Sequence, residues 1–272
     1  MGGKPHLSAS QLAMWSKCPY SWARRYVDGE IIPPGIAALT GTGVHAGAET
    51  NFRQKIDTHE DLPANDIVDA AVAGFEARKN GDGFVLTDDE ATIGATKVLG
   101  TATDQVAQLA KLHATAQAPD YQPTAVEHTT RIVLPNATHD LMAVTDLRDD
   151  RGRVVDFKTA AKKPAKEMAA NSLQLTVYTA AYAVDNAGRL PRSLRLDFLT
   201  KTKTPADTSR TRRATLATSV VWRVESTQRL PLCGPVPIRR VLPTPGGVLR
   251  SGAATPPLVP TTIPSESRSD PR

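Results

Sequence analysis

The sequence of 272 residues predicts an α/β fold, a mixed sheet flanked by helices with a helical lobe before it. Residues 8–118 repeat apolar side chains at helical spacing, whereas residues 119–205 alternate apolar and polar side chains as half-buried strands do. Residues 206–272 do neither. We therefore expect one domain over 1–205, with a mainly helical part at 1–118, a sheet core at 119–205 and a low-order tail at 206–272.

The first helix is predicted to begin at Ser8, because Ser8 and Gln11 have the spacing of a capping box. Pro19 is expected to kink this helix or to restart it. Large side chains then recur at helical spacing: Leu12, Trp15, Trp22 and Tyr26. Core packing is the favoured interpretation of this stripe, since aromatic residues are usually buried.

A second helix is predicted to open at Gly41–His45, where the glycines leave room for close approach of a backbone or ligand. His45 shares one helical face with Glu49, Phe52 and Ile56. A lone histidine on such a face is more often a hydrogen-bonded structural residue, and a metal or phosphate ligand is the alternative. Further helices are predicted at residues 65–79 and from the capping box at Thr87 to about Gln117.

Residues 124–134 alternate as the first long strand of the sheet and carry Glu127 near their start. The alternation does not fix which face is buried. Glu127 is therefore either a third acid of a site or a solvent-facing strand residue.

A β-hairpin over residues 141–159 organises the chain. Its two strands flank the turn residues Asp149–Gly152, in which glycine is free to adopt positive φ. Asp156 and Lys158 are two residues apart and so point to one face, and the hairpin can bring Asp146 towards them. Two carboxylates and an ammonium at a sheet edge form a hard-cation site beside a positive group, which suits phosphodiester cleavage.

The residues after the hairpin are basic and then helical. A lysine cluster usually marks a solvated surface, but next to a cation site Lys162, Lys163 and Lys166 can hold a phosphate backbone. Gln174 and Tyr178 are neighbours on one helical face, although Gln174 is also placed to complete a capping box with Asn171. A further strand is predicted at residues 193–200.

Charge divides the chain into two parts. Residues 1–205 hold 23 Lys and Arg against 24 Asp and Glu, whereas residues 206–272 hold ten Arg and four acids. A nucleic-acid interpretation must therefore rest on local patches. The tail is also rich in Pro, and a change of reading frame near residues 205–210 is one hypothesis for this switch.

The composition of the chain argues against a membrane-spanning or a secreted protein. No apolar run approaches the ~20 residues of a membrane span, and the residues MGGKPHLSAS lack the apolar segment of a secretory signal. Cys18 and Cys233 suit a reducing cytosol, so we expect a cytoplasmic protein that binds no membrane.

Five motifs, taken in their order along the chain, resemble those of the PD-(D/E)xK nucleases, in particular the RecB-like class with its CRISPR-associated and phage exonucleases. The resemblance covers about residues 7–201. Its motifs are Cys18-Pro19 with Trp15 and Tyr26, Gly43-Val44-His45, Asp146, Asp156-Phe157-Lys158-Thr159, and Gln174 with Tyr178.

The resemblance implies a restriction-endonuclease-like fold and a DNA exonuclease that uses Mg²⁺ or Mn²⁺ in recombination, repair or phage DNA processing. A recombination or single-strand annealing protein is an implied partner. Asp146, Asp156 and the Phe157 carbonyl would bind the metal, with His45 and Glu127 beside it, and Lys158 would be catalytic. Gln174 and Tyr178 would border the DNA.

This sequence departs from the pattern of that class at several positions. Ala143 stands where a glycine is usual, and Thr145 rather than proline precedes Asp146. Many relatives bind a [4Fe–4S] cluster through one early and three late cysteines, and here only Cys18 has its expected position, so no cluster is expected. Two other functions stay open: a catalytically impaired, DNA-binding remnant of the family, and a metabolic α/β protein with a closed small-molecule pocket.

Overall fold

The computed structural model describes residues 4–202 and 204–214, and their strands form one mixed, six-stranded sheet. The strands are β1 (His6–Ser8), β2 (Pro123–Ile132), β3 (Asp140–Asp149), β4 (Arg153–Ala160), β5 (Ser193–Thr200) and β6 (Ala206–Arg212). The helices are α1 (Ala9–Lys17), α2 (Pro19–Tyr26), α3 (Ile36–Thr58), α4 (Ala64–Asp82), α5 (Asp88–Ile93), α6 (Ala95–Leu112) and α7 (Leu173–Asp185). The predicted mixed sheet with flanking helices is confirmed.

Strand β3 is the centre of the sheet. Antiparallel β2 lies along one edge of β3, and the other edge is shared by parallel β1 at its start and antiparallel β4 at its end. Strand β5 runs parallel to β4, and β6 pairs antiparallel with β5. Between β4 and β5 the chain crosses through α7, as a parallel pair requires.

The predicted hairpin turn is confirmed between β3 and β4. Gly152 has φ +71°, the left-handed conformation that glycine adopts without strain. The buried carboxylate of Asp149 closes the turn, because its Oδ1 accepts hydrogen bonds from the backbone N–H groups of Arg151 and Arg153.

The helical lobe is built from α3, α4 and α6 around a core that includes Leu39, Phe75 and Val106. Helix α3 begins at Ile36, earlier than the predicted opening at Gly41. The glycines inside α3 instead serve helix packing: a Cβ at Gly47 would lie 2.7 Å from the carbonyl oxygen of Ile67 on α4. The predicted helix start is therefore wrong, whereas the predicted room for a close backbone is confirmed at Gly43, where a Cβ would lie 2.9 Å from the carbonyl oxygen of Ala71.

Helices α1 and α2 confirm the capping box at Ser8 and the restart at Pro19. The predicted core packing of the aromatic stripe is wrong for Trp15 and Tyr26, which are exposed. Trp15 instead packs edge-to-face against Trp22, with ring centroids 5.1 Å apart. None of the residues of α2 is buried, and the two tryptophan rings pack against each other instead of in the core.

The predicted boundary at residue 205 is wrong, since β6 extends the sheet beyond it. All seven residues of Ala206–Arg212 pair with β5. This pairing contradicts low order at the start of the predicted tail. The rest of that tail, residues 215–272, lies outside the described residues.

Within the described residues, none of the helices is both long enough and apolar enough to cross a membrane.

Candidate metal centre and catalytic site

The site lies where β3 and β4 separate. The two strands pair at Leu147–Val155 and Arg148–Val154, and the ladder ends there. Asp146 directly precedes Leu147 on β3, just outside this ladder, and its Oδ2 accepts a 2.9 Å hydrogen bond from the backbone N–H of Phe157. The Asp146 carboxylate thus links the diverging strands and is held at the mouth of the fork.

Three candidate metal ligands converge at this fork. One donor atom each of His45, Glu127 and Asp146 lies within 4.8 Å of the other two. Oxygen ligands of one cation lie ~2.1–2.5 Å from it, so they are at most ~4–5 Å apart. These residues border a recess of about 10 Å³, which is room for a single ion or water.

Glu127 reaches the recess through an unusual backbone. Val126 lies opposite Leu147 and His128 opposite Thr145, so the register places Glu127 opposite Asp146. Glu127 has φ +47°, a left-handed conformation inside a strand, which costs a non-glycine residue ~1–3 kcal/mol. Such strain concentrates at functional sites, and here it accompanies a carboxylate that faces the site rather than bulk solvent.

Asp156 forms the second part of the site. It is fully buried, and its Oδ1 accepts a 2.7 Å hydrogen bond from the amide of Gln174, with the hydroxyl of Tyr178 at 3.4 Å. Its Oδ2 lies 2.7 Å from Nζ of Lys158 as an ion pair. Apart from this ion pair, Oδ2 has no hydrogen-bond partner among the described residues.

The acids of the fork repel one another's charge. Burial and the neighbouring charge of Asp156 raise the pKa of Asp146 well above its usual value. Burial, then the charge of Glu49, also raises the pKa of Glu127. Burial lowers the pKa of His45, whose Nδ1 lies 3.6 Å from Oδ2 of Asp146, and this favours the neutral imidazole, the form that donates a lone pair to a metal.

These donors fit a hard divalent cation. Carboxylate oxygens are the ligands that Mg²⁺ and Mn²⁺ favour, and a bound cation would offset the burial and the repulsion that raise the pKa values of Asp146 and Glu127. The buried Oδ2 of Asp156, which lacks a hydrogen-bond partner among the described residues, offers a further lone pair on the Lys158 side of the fork.

Phe157 is fixed between the two halves of the site. Its ring stacks on Phe52 with centroids 5.6 Å apart and meets the rings of His113 and Tyr121 edge-on at 5.2 and 6.0 Å. This aromatic cluster anchors the backbone that follows Asp156, including the N–H group that binds Asp146 and the carbonyl predicted to bind metal.

The residues predicted to contact DNA occupy different environments. Lys162, Lys163 and Lys166 are exposed on the loop between β4 and α7. Gln174 is partly buried and binds Asp156, so the alternative capping role is wrong: Ser172 caps α7 instead. Tyr178 is only 3% exposed, and this burial contradicts a direct contact with DNA.

Glu49 is a site residue that the sequence analysis did not select. It lines the same recess as His45 and Asp146, and Arg53 forms an ion pair with it at 2.6 Å. The signal was its position four residues after His45, one helical turn along the same face.

The sequence profile of a family described as the PD-(D/E)XK nuclease superfamily matches residues 6–230. One similar solved structure is a protein of Eubacterium rectale provisionally described as an exonuclease; it is 14% identical, with a TM-score of 0.49 over 78% of this chain and 73% of that chain. A second, SSO0001, is 14% identical with a TM-score of 0.28 over 63% and 80%. At these values neither likeness supports an inference about this chain. No curated protein matches the sequence.

Proposed function

Because the chain belongs to the PD-(D/E)XK nuclease superfamily, we propose that it hydrolyses phosphodiester bonds of DNA with Mg²⁺ or Mn²⁺. The observation that carries this proposal is the fork itself. It combines an acid-lined, ion-sized recess at Asp146 with the ion pair of the buried Asp156 and the partly exposed Lys158 one strand away.

The residues at the fork would hold the cation. Asp146, Asp156 and the Phe157 carbonyl supply oxygen ligands, while Glu127 and His45 complete or orient the set. A divalent cation in such a site lowers the pKa of bound water and neutralises charge on the phosphate. Asp146 and Glu127 must be ionised to bind it, which their raised pKa values oppose until the cation arrives.

Lys158 acts on the phosphate. Water oxygen loses a proton to solvent and forms a new bond to phosphorus, while the bond from phosphorus to the leaving oxygen breaks and that oxygen takes up a proton. Negative charge grows on the non-bridging oxygens in that step, and the ammonium of Lys158 is placed to stabilise it electrostatically. Gln174 holds the carboxylate of Asp156 so that its other oxygen stays directed towards Lys158 and the cation.

The substrate and setting are part of the same proposal. Lys162, Lys163 and Lys166 present three exposed positive charges on the loop that follows β4, which suits a phosphate backbone. We propose exonuclease action in recombination, repair or phage DNA processing in the cytoplasm, with a recombination or annealing protein as a possible partner class.

End-labelled linear DNA and circular DNA, each with Mg²⁺, Mn²⁺ or EDTA, test the proposal. We expect metal-dependent loss of the linear end label, and no cleavage by Asp156→Ala. Asp150→Asn is the matched control, because Asp150 is an exposed acid at the turn of the same hairpin. Binding of DNA without cleavage would instead support the impaired remnant, and absence of both would overturn the proposal.

A further inference from the structure

A cavity of about 350 Å³ opens directly beside the catalytic lysine. We propose that it binds one unpaired nucleobase next to the scissile phosphodiester, so that the substrate is single-stranded or frayed DNA. This inference rests on the proposed function and adds the form of DNA that the site accepts.

The register of the sheet places the cavity floor next to the catalytic groups. In the β4–β5 ladder Asp156 lies opposite Leu196, and Lys158 lies opposite Phe198. Paired residues of neighbouring strands share a face and the strands are ~4.8 Å apart. Leu196 and Phe198 line the cavity, so a planar group lying on them would be one strand away from Asp156 and Lys158.

The lining of the cavity suits a base. Leu196 and Phe198 offer an apolar floor, and Met168 offers a polarisable thioether that packs well against aromatic rings. The side-chain amide of Asn171 and the carbonyl oxygen of Gln174, whose NH2 group is bound to Asp156 and Tyr178, stand at the same cavity and can pair with the polar edge of a base. An apolar surface for the ring with a few polar groups is how small-molecule sites are usually built.

The volume of the cavity favours a single nucleoside. Sites for small organic ligands range from ~300 to 1,000 Å³, and about 350 Å³ lies at the lower end. A base that enters the cavity and lies on Leu196 and Phe198 has to leave the stack of a duplex. A nucleotide seated there must therefore be unpaired.

Positive charge surrounds this cavity. The loop that carries Met168 and Asn171 also carries the exposed Lys162, Lys163 and Lys166, and Lys158 lies at the cavity itself. A single strand could thus lay its phosphates along the loop while one base enters the cavity. Basic side chains next to a stacking surface are the usual means of binding single strands.

Strand β6 holds the loop in place. The guanidinium of Arg210 donates hydrogen bonds to the carbonyls of Ala165 and Pro164 at 3.2 and 3.0 Å, and that of Arg212 donates to Ala170 at 3.1 Å. These contacts on both sides of Met168 preform the wall of the cavity before DNA arrives.

Substitutions that fill the cavity mouth test the proposal in the full-length chain. Met168→Trp and Asn171→Trp place a large ring there at exposed positions, and Glu167→Trp is the matched control, since Glu167 is exposed on the same loop and does not line the cavity. Single-stranded oligonucleotides with one abasic site at successive positions are the substrates. A 2-aminopurine base in the oligonucleotide, whose fluorescence is measured with Ca²⁺ in place of Mg²⁺, reports binding without turnover.

In the wild type we expect an abasic site at one position of the oligonucleotide to lower kcat/KM about 10-fold. We also expect blunt duplex DNA to be cleaved about 10-fold less well than single strands. Met168→Trp or Asn171→Trp should remove the register dependence and the 2-aminopurine response, while Glu167→Trp should keep both. Equal effects at every abasic position, or cavity variants that behave like Glu167→Trp, would overturn the base site while leaving nuclease action intact. Absence of cleavage of any DNA by the wild type would instead overturn the proposed function.

Discussion

The amide of Gln174 on α7 donates a 2.7 Å hydrogen bond to Oδ1 of Asp156 on β4, and this bond sets which oxygen of the carboxylate is left for the site. Oδ2 then lies beside Lys158 at 2.7 Å. The helix that crosses between β4 and β5 therefore positions the buried acid, and Tyr178, one turn further on, supports it from the core.

Replacing Gln174 should weaken cation binding more than the chemical step. Residues that orient a metal ligand typically change metal affinity 10–100-fold when they are lost. We expect Gln174→Ala to shift the Mg²⁺ or Mn²⁺ concentration for half-maximal cleavage upward by about 10-fold, with a smaller metal-induced rise in melting temperature. Gln108→Ala, at an exposed position of α6, is the control. An unchanged metal requirement would leave Gln174 without a positioning role.

Lys158 should matter to turnover. Lys158→Ala removes an ammonium that stabilises the transition state, so we expect a loss of about 10²-fold or more in kcat. Lys158→Arg keeps the charge but replaces a compact ammonium by a planar fork, and should not restore the rate. Single-turnover cleavage measures both variants. Wild-type rates in Lys158→Ala would make the lysine a surface residue only.

The stability of the metal-free protein should depend on pH through Asp146. Burial and the Asp156 charge raise the folded-state pKa of Asp146, so its contribution to the free energy of unfolding is present at low pH and is lost as pH rises through that pKa. In EDTA, Asp146→Asn should therefore melt at a higher temperature than the wild type at pH 8, and the difference should shrink towards pH 4. Saturating Mg²⁺ should reverse the order at pH 8, since the variant has lost a ligand. A pH-independent difference in EDTA would contradict this account.

The hairpin was predictable because it is determined by residues that are close together in the sequence. Alternation over β3 and β4 and a turn glycine at 152 fix the strands, and two-residue spacing puts Asp156 and Lys158 on one face. The family resemblance, rather than spacing, marked His45 as a site residue. The structure brings it within 3.6 Å of Asp146 by packing α3 against the sheet.

What the sequence did not reveal depends on long-range pairing. Residues 206–212 have little apolar periodicity, and they form a strand because the edge of β5 is available and their arginines reach loop carbonyls. The position of Glu127 also required the structure, since a left-handed residue inside β2 turns its side chain in a way that alternation cannot show. Aromatics at helical spacing suggested a core in α1 and α2, but Trp15 and Tyr26 are exposed.

Backbone strain at Glu127 gives a test that separates its structural cost from its function. Glu127→Ala and Glu127→Gly both remove the carboxylate, so both should lose metal-dependent cleavage to the same extent. Glycine accepts φ +47° freely and alanine does not, so Glu127→Gly should be more stable than Glu127→Ala by about 1 kcal/mol. Urea unfolding in EDTA measures the difference.

Thr129 supplies the control pair, because it is exposed two residues further along the same strand and has no positive φ. There the ordinary preference should hold, with Thr129→Ala more stable than Thr129→Gly by roughly 0.5–1 kcal/mol. The same order at both positions would mean that the left-handed conformation of Glu127 is not kept in solution, and that its place at the cation site is not imposed by the backbone.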